Sequence, residues 1–228
     1  MFRRRGCQLR LRSVTTEAGS FGYDREARGP DDPHMKSVCV FCGSRAGSRP
    51  EYHAASERLA DELVRRGLKL VYGGGDVGLM GVLAERMLAR RGDVFGVIPR
   101  ALVEREVAHH GVTKLHVVET MHDRKALMAD LSDAFLALPG GFGTLEELFE
   151  VVTWQQLRIH SKPCGLLNTC GYFDDLLRFL DRAVAEDFLH ASHRERVLVD
   201  DDPARLIDRL IEQESSTDRP ELLPKWVR

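Results

Sequence analysis

The chain has 228 residues, of which 43% are hydrophobic and 30% charged; these ordinary proportions exclude collagen-like, disulfide-scaffold and wholly disordered classes. Lys+Arg 33 against Asp+Glu 35 leaves a formal net charge of −2, so no global positive field exists to hold nucleic acid or an anionic membrane. No apolar run approaches the ~20 residues of a membrane span, which predicts a soluble chain with neither nucleic acid nor membrane as partner.

In chain order, residues 1–34 begin with Arg3, Arg4, Arg5, Arg10 and Arg12 and run on through Gly, Ser, Asp and Pro without apolar periodicity. This reads as a disordered N-terminal extension. It lacks the apolar stretch of a secretory signal. The ordered domain is expected to begin near Met35, which is also a candidate translation start. From there, strand-length apolar runs alternate with segments of helical period. The strands read as Val38–Phe41, Leu68–Tyr72, Val94–Ile98, Leu115–Val118, Ala134–Leu138, Cys164–Leu167 and Val197–Val199. The helices read as Glu51–Arg66, Leu79–Arg90, Met121–Leu131, Thr144–Arg158, Tyr172–Glu186 and Pro203–Glu214. In the first of these, Ala55, Leu59 and Leu63 form one apolar stripe among charged neighbours. Continuous apolar strands separated by helices predict an α/β fold: one doubly wound, Rossmann-like domain over 35–214, with a parallel sheet of about seven strands flanked by helices. Residues 215–228, with Pro220, Pro224 and mixed charges, read as a loosely attached tail that Trp226 is able to anchor.

The cysteines are Cys7, Cys39, Cys42, Cys164 and Cys170, an odd number at irregular spacing without an export signal, which favours a reducing cytoplasm. Cys39 and Cys42 spell CxxC, but Cys39 lies within a buried strand and no second pair completes a zinc set. Both are expected to be ordinary core residues, and no metal site is expected. His109-His110 likewise lacks a third ligand at metal spacing.

In an open α/β sheet, ligands sit beyond the carboxyl ends of the strands. Three loops there are glycine-rich or polar: Gly43-Ser44-Arg45, Gly73-Gly74-Gly75-Asp76-Val77-Gly78, and Pro139-Gly140-Gly141-Phe142-Gly143-Thr144. The second spells GxGxxG. A dinucleotide site would also need an acid after the following strand, whereas Asp93 precedes the run Val94–Ile98. A backbone turn that approaches a mononucleotide closely, with Gly74 and Gly75 in it, fits better. The third loop leads straight into a helix, so its backbone N–H groups and the helix dipole converge on one point suited to a phosphate. Thr144 is positioned to donate a hydroxyl or to cap the helix. No Lys-Ser/Thr ending follows, so a Walker loop is excluded. Glu147, one turn after Gly143, is able to face the same ligand; of Glu146 and Glu147, one is expected merely to complement the helix dipole. The segment 121–128 brings Arg124 and Lys125 to the ligand edge, while its methionines read as core.

These residues carry a resemblance. Pro139–Glu147 (PGGFGTLEE) resembles the PGGxGTxxE signature of the LOG ("Lonely Guy") phosphoribohydrolases, formerly misnamed lysine decarboxylases. Cys42–Arg45, Tyr72–Gly81 and Met121–Met128 look like further blocks of that family, and the likeness runs from Met35 to about Gln213. The resemblance implies hydrolysis of the N-glycosidic bond of nucleoside 5′-monophosphates, cytokinin riboside monophosphates and AMP among them, to free base and ribose 5-phosphate. It implies Arg124 and Glu147 as the catalytic pair. Substrate contacts would come from Glu106, Lys125, Gly141, Phe142, Gly143, Thr144, Leu145, Glu146 and Thr153, joined by Gly43, Ser44, Gly74, Gly75 and Gly140 of the glycine loops. It also implies no cofactor, and a homodimer or larger assembly. The surplus of Phe149, Val151, Val152, Trp154 and Leu157 on one helix agrees with an interface.

The chemistry of the residues points the same way. Breaking a ribosyl–base bond builds an oxocarbenium-like sugar that Glu147 is suited to stabilise while it orients water. Arg124 is suited to hold Glu147, or a sugar or phosphate oxygen, in a bidentate fork. Two rivals remain. A pyridoxal-phosphate decarboxylase needs a Schiff-base lysine, yet only Lys125 of the six lysines lies near the inferred site. A non-catalytic nucleotide or molybdenum-cofactor carrier would keep the phosphate loops, but does not need the Arg124 and Glu147 pair.

Overall fold

The computed structural model describes residues 35–103 and 108–216, with side chains through 214. The expected extension over 1–34, the tail beyond 216 and Glu106 lie outside the described residues. Seven strands form one sheet: β1 (Ser37–Phe41), β2 (Lys69–Tyr72), β3 (Val94–Pro99), β4 (Lys114–Val118), β5 (Ala134–Ala137), β6 (Cys164–Leu167) and β7 (Val197–Asp200). Its order is β4-β3-β2-β1-β5-β6-β7, and every pairing is parallel. The helices are α1 (Pro50–Arg65), α2 (Gly78–Ala89), α3 (Arg100–Val103), α4 (Met121–Asp130), α5 (Phe142–Gln156), α6 (Asp174–Ala185), α7 (Ala191–Glu195) and α8 (Pro203–Ser216).

Strand periodicity divides the core. On one face, Val38 and Val40 of β1 and Leu70 and Tyr72 of β2 pack with Leu59 and Leu63 of α1, Leu83 and Met87 of α2, and Leu206 and Leu210 of α8. On the other, Cys39, Phe41, Val71 and Phe135 pack with Leu127 and Met128 of α4 and Leu148 and Val151 of α5. The inner strands are covered on both faces, which is why they are mostly apolar. Each fully buried Leu or Phe in these layers contributes roughly 1.5–3 kcal/mol.

The chain winds outward from β1 through β2 and β3 to β4, then crosses back through α4 to lay β5 against the other side of β1. The loops after β1 and β5 therefore leave the sheet at the point where the winding direction reverses, the place where such sheets open a crevice.

All seven expected strands form. The differences lie at helix ends and in two short helices, α3 and α7, that the periodicity does not predict. α5 begins at Phe142 rather than Thr144, because Gly141 takes the cap position in extended geometry. Thr144 is thus inside the helix and does not cap it. The expected helix from Tyr172 begins instead at Asp174, behind a 3-10 turn at Thr169–Gly171 in which Cys170 and Gly171 both adopt left-handed φ. The side chain of Asn168 accepts from the Phe173 N–H at 2.7 Å and donates to Asp174 at 2.7 Å, fixing that break. Met128 is core as expected, but Met121 is exposed.

Candidate active site

Three loops are bolted together at the carboxyl edge. The Gly43 N–H donates to the Pro139 carbonyl at 3.0 Å, and the Gly43 carbonyl accepts from the Leu79 N–H at 3.0 Å. Close approach explains two of the glycines. A Cβ on Gly78, whose φ is +59°, would lie 2.3 Å from the Ser44 carbonyl carbon, and a Cβ on Gly140 would lie 2.1 Å from Thr144 Oγ1. Gly74 and Gly75 serve the loop as well. The Gly74 carbonyl accepts from the His109 N–H at 3.0 Å, and Gly75 forms an antiparallel bridge with Ala108. Asp93 stands before β3, at the opposite edge, so the GxGxxG spelling carries no ribose-binding acid.

Gly141 and Gly143 differ, because an added Cβ at either meets nothing within 4 Å. They border the open N-terminus of α5. That helix has no side-chain cap and no acid in its first turn, so its first N–H groups face outward, where an anion is favoured. Beside it, α4 closes its own N-terminus with a capping box: Thr120 Oγ1 accepts from the Asp123 N–H at 3.1 Å, and Asp123 accepts from the Thr120 N–H at 3.1 Å. Phe142, the first residue of α5, is 93% exposed. Ser44 and Leu145 lie on the same rim, exposed and half-buried respectively.

Arg124, on the first turns of α4, is only 6% exposed. Its Nη2 donates to the Gly73 carbonyl at 3.3 Å and lies 3.8 Å from Glu147 Oε1 on α5. Its Nε has no hydrogen-bond partner among the described residues. A Cβ on Gly73 would fall 2.0 Å from Arg124 Nη2, so that glycine makes room for the guanidinium. Arg124 forms no bidentate fork with Glu147, because 3.8 Å is an ion pair too long for a hydrogen bond. Donors of Arg124 thus remain available in a site where Glu147 is nearly buried.

Lys125 and Glu146, both expected at the substrate, are bonded to each other. Lys125 Nζ lies 2.5 Å from Glu146 Oε1 and 2.9 Å from Glu150 Oε1. Desolvation disfavours the ammonium, yet the hydrogen bonds to the two carboxylates outweigh it and hold the Lys125 pKa above its usual value. The consecutive cations of α4 therefore clasp the acidic flank of α5. Cys39 and Cys42 are buried, and burial, with the Glu147 charge added, pushes both thiols well up. No group of His, Cys, Asp or Glu among the described residues is arranged to hold a metal.

Thr153 is not brought to the Arg124–Glu147 pair. It lines a separate apolar groove with Phe149, Val152, Gln156, Leu176 and Leu189. Two contributors escaped the sequence reading. Tyr172 donates its hydroxyl to the Gly140 carbonyl at 2.6 Å, and Glu150 completes the clasp on Lys125. Only Tyr172 left a signal, as an aromatic residue just beyond a strand's carboxyl end.

The family model described as possible lysine decarboxylase matches residues 80–210. The chain is 50% identical over 184 residues to the probable cytokinin riboside 5′-monophosphate phosphoribohydrolase LOGL9 of Oryza sativa subsp. japonica, covering 81% of each chain. It is 47% identical over 179 residues to the cytokinin riboside 5′-monophosphate phosphoribohydrolase LOG2 of Arabidopsis thaliana, covering 78% of this chain and 84% of the relative. Among solved structures, the molybdenum cofactor carrier protein of Chlamydomonas reinhardtii superposes with a TM-score of 0.60 at 20% identity, over 78% of this chain and 97% of the other. The molybdenum cofactor binding protein of Rippkaea orientalis does so with a TM-score of 0.59 at 21% identity, over 78% and 96%. Those two likenesses concern the fold. Half-identity across four fifths of its length, with the Arg124–Glu147 pair and the open α5 cradle in place, makes the chain a member of the LOG phosphoribohydrolase family, whose model carries the older lysine decarboxylase description.

Proposed function

We propose that the protein hydrolyses the N-glycosidic bond of nucleoside 5′-monophosphates, a cytokinin riboside 5′-monophosphate or AMP, to the free base and ribose 5-phosphate. The observation that carries this reading is the nearly buried Arg124–Glu147 pair beside an uncapped helix N-terminus. The 5′-phosphate sits on the first N–H groups of α5, where Gly141 and Gly143 leave space for it. Its binding energy holds C1′ against Glu147. As the C1′–N bond breaks, positive charge builds on the ribose, and the Glu147 carboxylate stabilises it and orients a water molecule. The water oxygen bonds to C1′, and the proton it loses ends on the departing base. Arg124 holds Glu147 in place and offers its remaining donors to the sugar phosphate.

The family's substrate contacts at Glu106 and Thr153 belong to the same reading. Thr153 lies on the flank of α5 away from Glu147, beside exposed Phe149 and Leu157. Homodimerisation over this flank would cover the apolar residues and offer Thr153 to a neighbouring copy. A cytoplasmic setting accords with buried, unpaired Cys39, Cys42 and Cys164.

The carrier reading predicts binding without turnover. Chromatography of mixtures with AMP, isopentenyladenosine monophosphate, GMP and CMP decides between them. Free base from an adenine nucleotide supports the hydrolase and ranks the bases; a bound but intact nucleotide in every case supports the carrier.

A further inference from the structure

A second recess opens on the carboxyl edge of the sheet, beyond β6 and β7, and none of the nucleotide-site residues lines it. Its volume is about 360 Å³. Glu51 and Arg58 of α1, Thr169 and Cys170 of the 3-10 turn, and Asp202 and Arg205 at the start of α8 form its walls. Cys170 is exposed, whereas Cys39, Cys42 and Cys164 are buried. Among the described residues a dissolved reagent therefore reaches one thiol. Cys170 and Gly171, with φ of +55° and +68°, form a left-handed step in the chain.

Two observations prepare this recess for a polar ligand. Thr169 is only 4% exposed, yet its hydroxyl has no hydrogen-bond partner among the described residues. Buried hydroxyls are normally bonded, and this one, on a residue that lines the recess, lacks that bond. Arg205 is held by Asp200 at 2.7 Å and Asp201 at 2.6 Å, whereas Arg58 forms no ion pair among the described residues. An unpaired guanidinium matches a carboxylate, and Glu51 on the same wall matches an ammonium.

We propose that Cys170 is a site of reversible S-thiolation by the disulfide of a small zwitterionic thiol, an amino acid or short peptide whose carboxylate docks on Arg58. The Cys170 thiolate attacks one sulfur of that disulfide and forms a new S–S bond. The original S–S bond breaks, and the second sulfur leaves as a thiolate that takes up the proton given up by Cys170. The small disulfide is the oxidant. A consequence reaches the glycine cradle, because Tyr172, two residues on, donates to the Gly140 carbonyl and stands edge-on to Tyr52 at 5.8 Å. A group attached at Cys170 displaces the turn and withdraws the Tyr172 hydroxyl from Gly140. This consequence rests on the proposed hydrolase reading; the thiolation itself does not.

The test treats the full reduced chain with glutathione disulfide and follows it by intact mass, peptide mapping and AMP kinetics. The expected result is one glutathionyl group on Cys170, removed by dithiothreitol, and a KM for AMP raised about 5–10-fold, the loss of roughly one hydrogen bond. Cys170→Ser should take no label at that peptide and keep its KM in the disulfide. Tyr172→Phe should raise KM to the same degree without label. A Cys170 peptide that stays unlabelled in the folded chain while the urea-unfolded chain is labelled there would overturn the site. Full labelling with an unchanged KM would overturn the coupling to the cradle. Labelling at Cys170 of a chain that turns over neither AMP nor isopentenyladenosine monophosphate would uphold the site and reject the hydrolase reading.

Discussion

Arg124 Nη2 and Glu147 Oε1 face each other at 3.8 Å across the α4–α5 contact, both side chains nearly buried and joined by no direct hydrogen bond. In the proposed reaction this carboxylate faces the positive charge that develops on the ribose. Glu147→Gln preserves the shape and removes the carboxylate charge. The expected outcome is a fall of about 10²–10³-fold or more in kcat, with the AMP Kd changed by less than tenfold in calorimetry.

Arg124→Lys tests the guanidinium itself. A lysine keeps one positive charge but loses the planar set of donors that reaches both Gly73 and the Glu147 side. The expected loss in kcat/KM is about tenfold to a hundredfold. Gly73→Ala should act in the same direction through displacement of Arg124, and steady-state kinetics on both variants checks it.

The glycines of the cradle separate packing from binding. Gly140→Ala places its Cβ against Thr144 and Gly43 and should lower Tm. Gly143→Ala adds a methyl in open space within α5, which should leave stability unchanged or raise it by about 0.4–1 kcal/mol. If a phosphate approaches there, the same methyl should raise KM for AMP at least about tenfold. Calorimetric melting and kinetics on the two variants read the opposite signs.

Acid stability should depend on His160. Burial first, then the nearby Lys162 charge, lowers its pKa from the usual range to about 4. Its ring packs on Phe135, and its Nδ1 accepts from the Lys162 N–H at 3.1 Å, which requires an unprotonated nitrogen. The unfolded chain therefore binds this proton more readily. The stability that neutral His160 contributes is fully present above an unfolded pKa of about 6.5 and declines as pH falls toward 4. Urea melts of wild type and His160→Phe at pH 7, 6 and 5 should show the wild type losing more stability over that interval.

The sheet was legible in the sequence because its inner strands are buried on both sides and so read as apolar runs, whereas the edge strands β4 and β7 are only partly buried and kept shorter ones. Short α3 and α7 were not, since neither carries a periodic stripe, and α6 starts late because Cys170 and Gly171 leave the right-handed region. The glycine loops declared themselves by standing between a strand and a helix. What their glycines do was less visible. Gly73 makes room for Arg124, Gly140 packs on Thr144, and only Gly141 and Gly143 face open space. The partnership of Lys125 with Glu146 and Glu150, and the turning away of Thr153, depend on how α4 and α5 are rotated against one another. No spacing within either helix encodes that rotation.

The most direct measurement of the central claim is the rate of free adenine release from AMP and from adenosine, by wild type and by Glu147→Gln. The account predicts rapid release from AMP, release from adenosine slower by at least about a hundredfold because the phosphate positions C1′, and near-complete loss in the variant. Equal rates on the two compounds, or full activity without the Glu147 carboxylate, would contradict it.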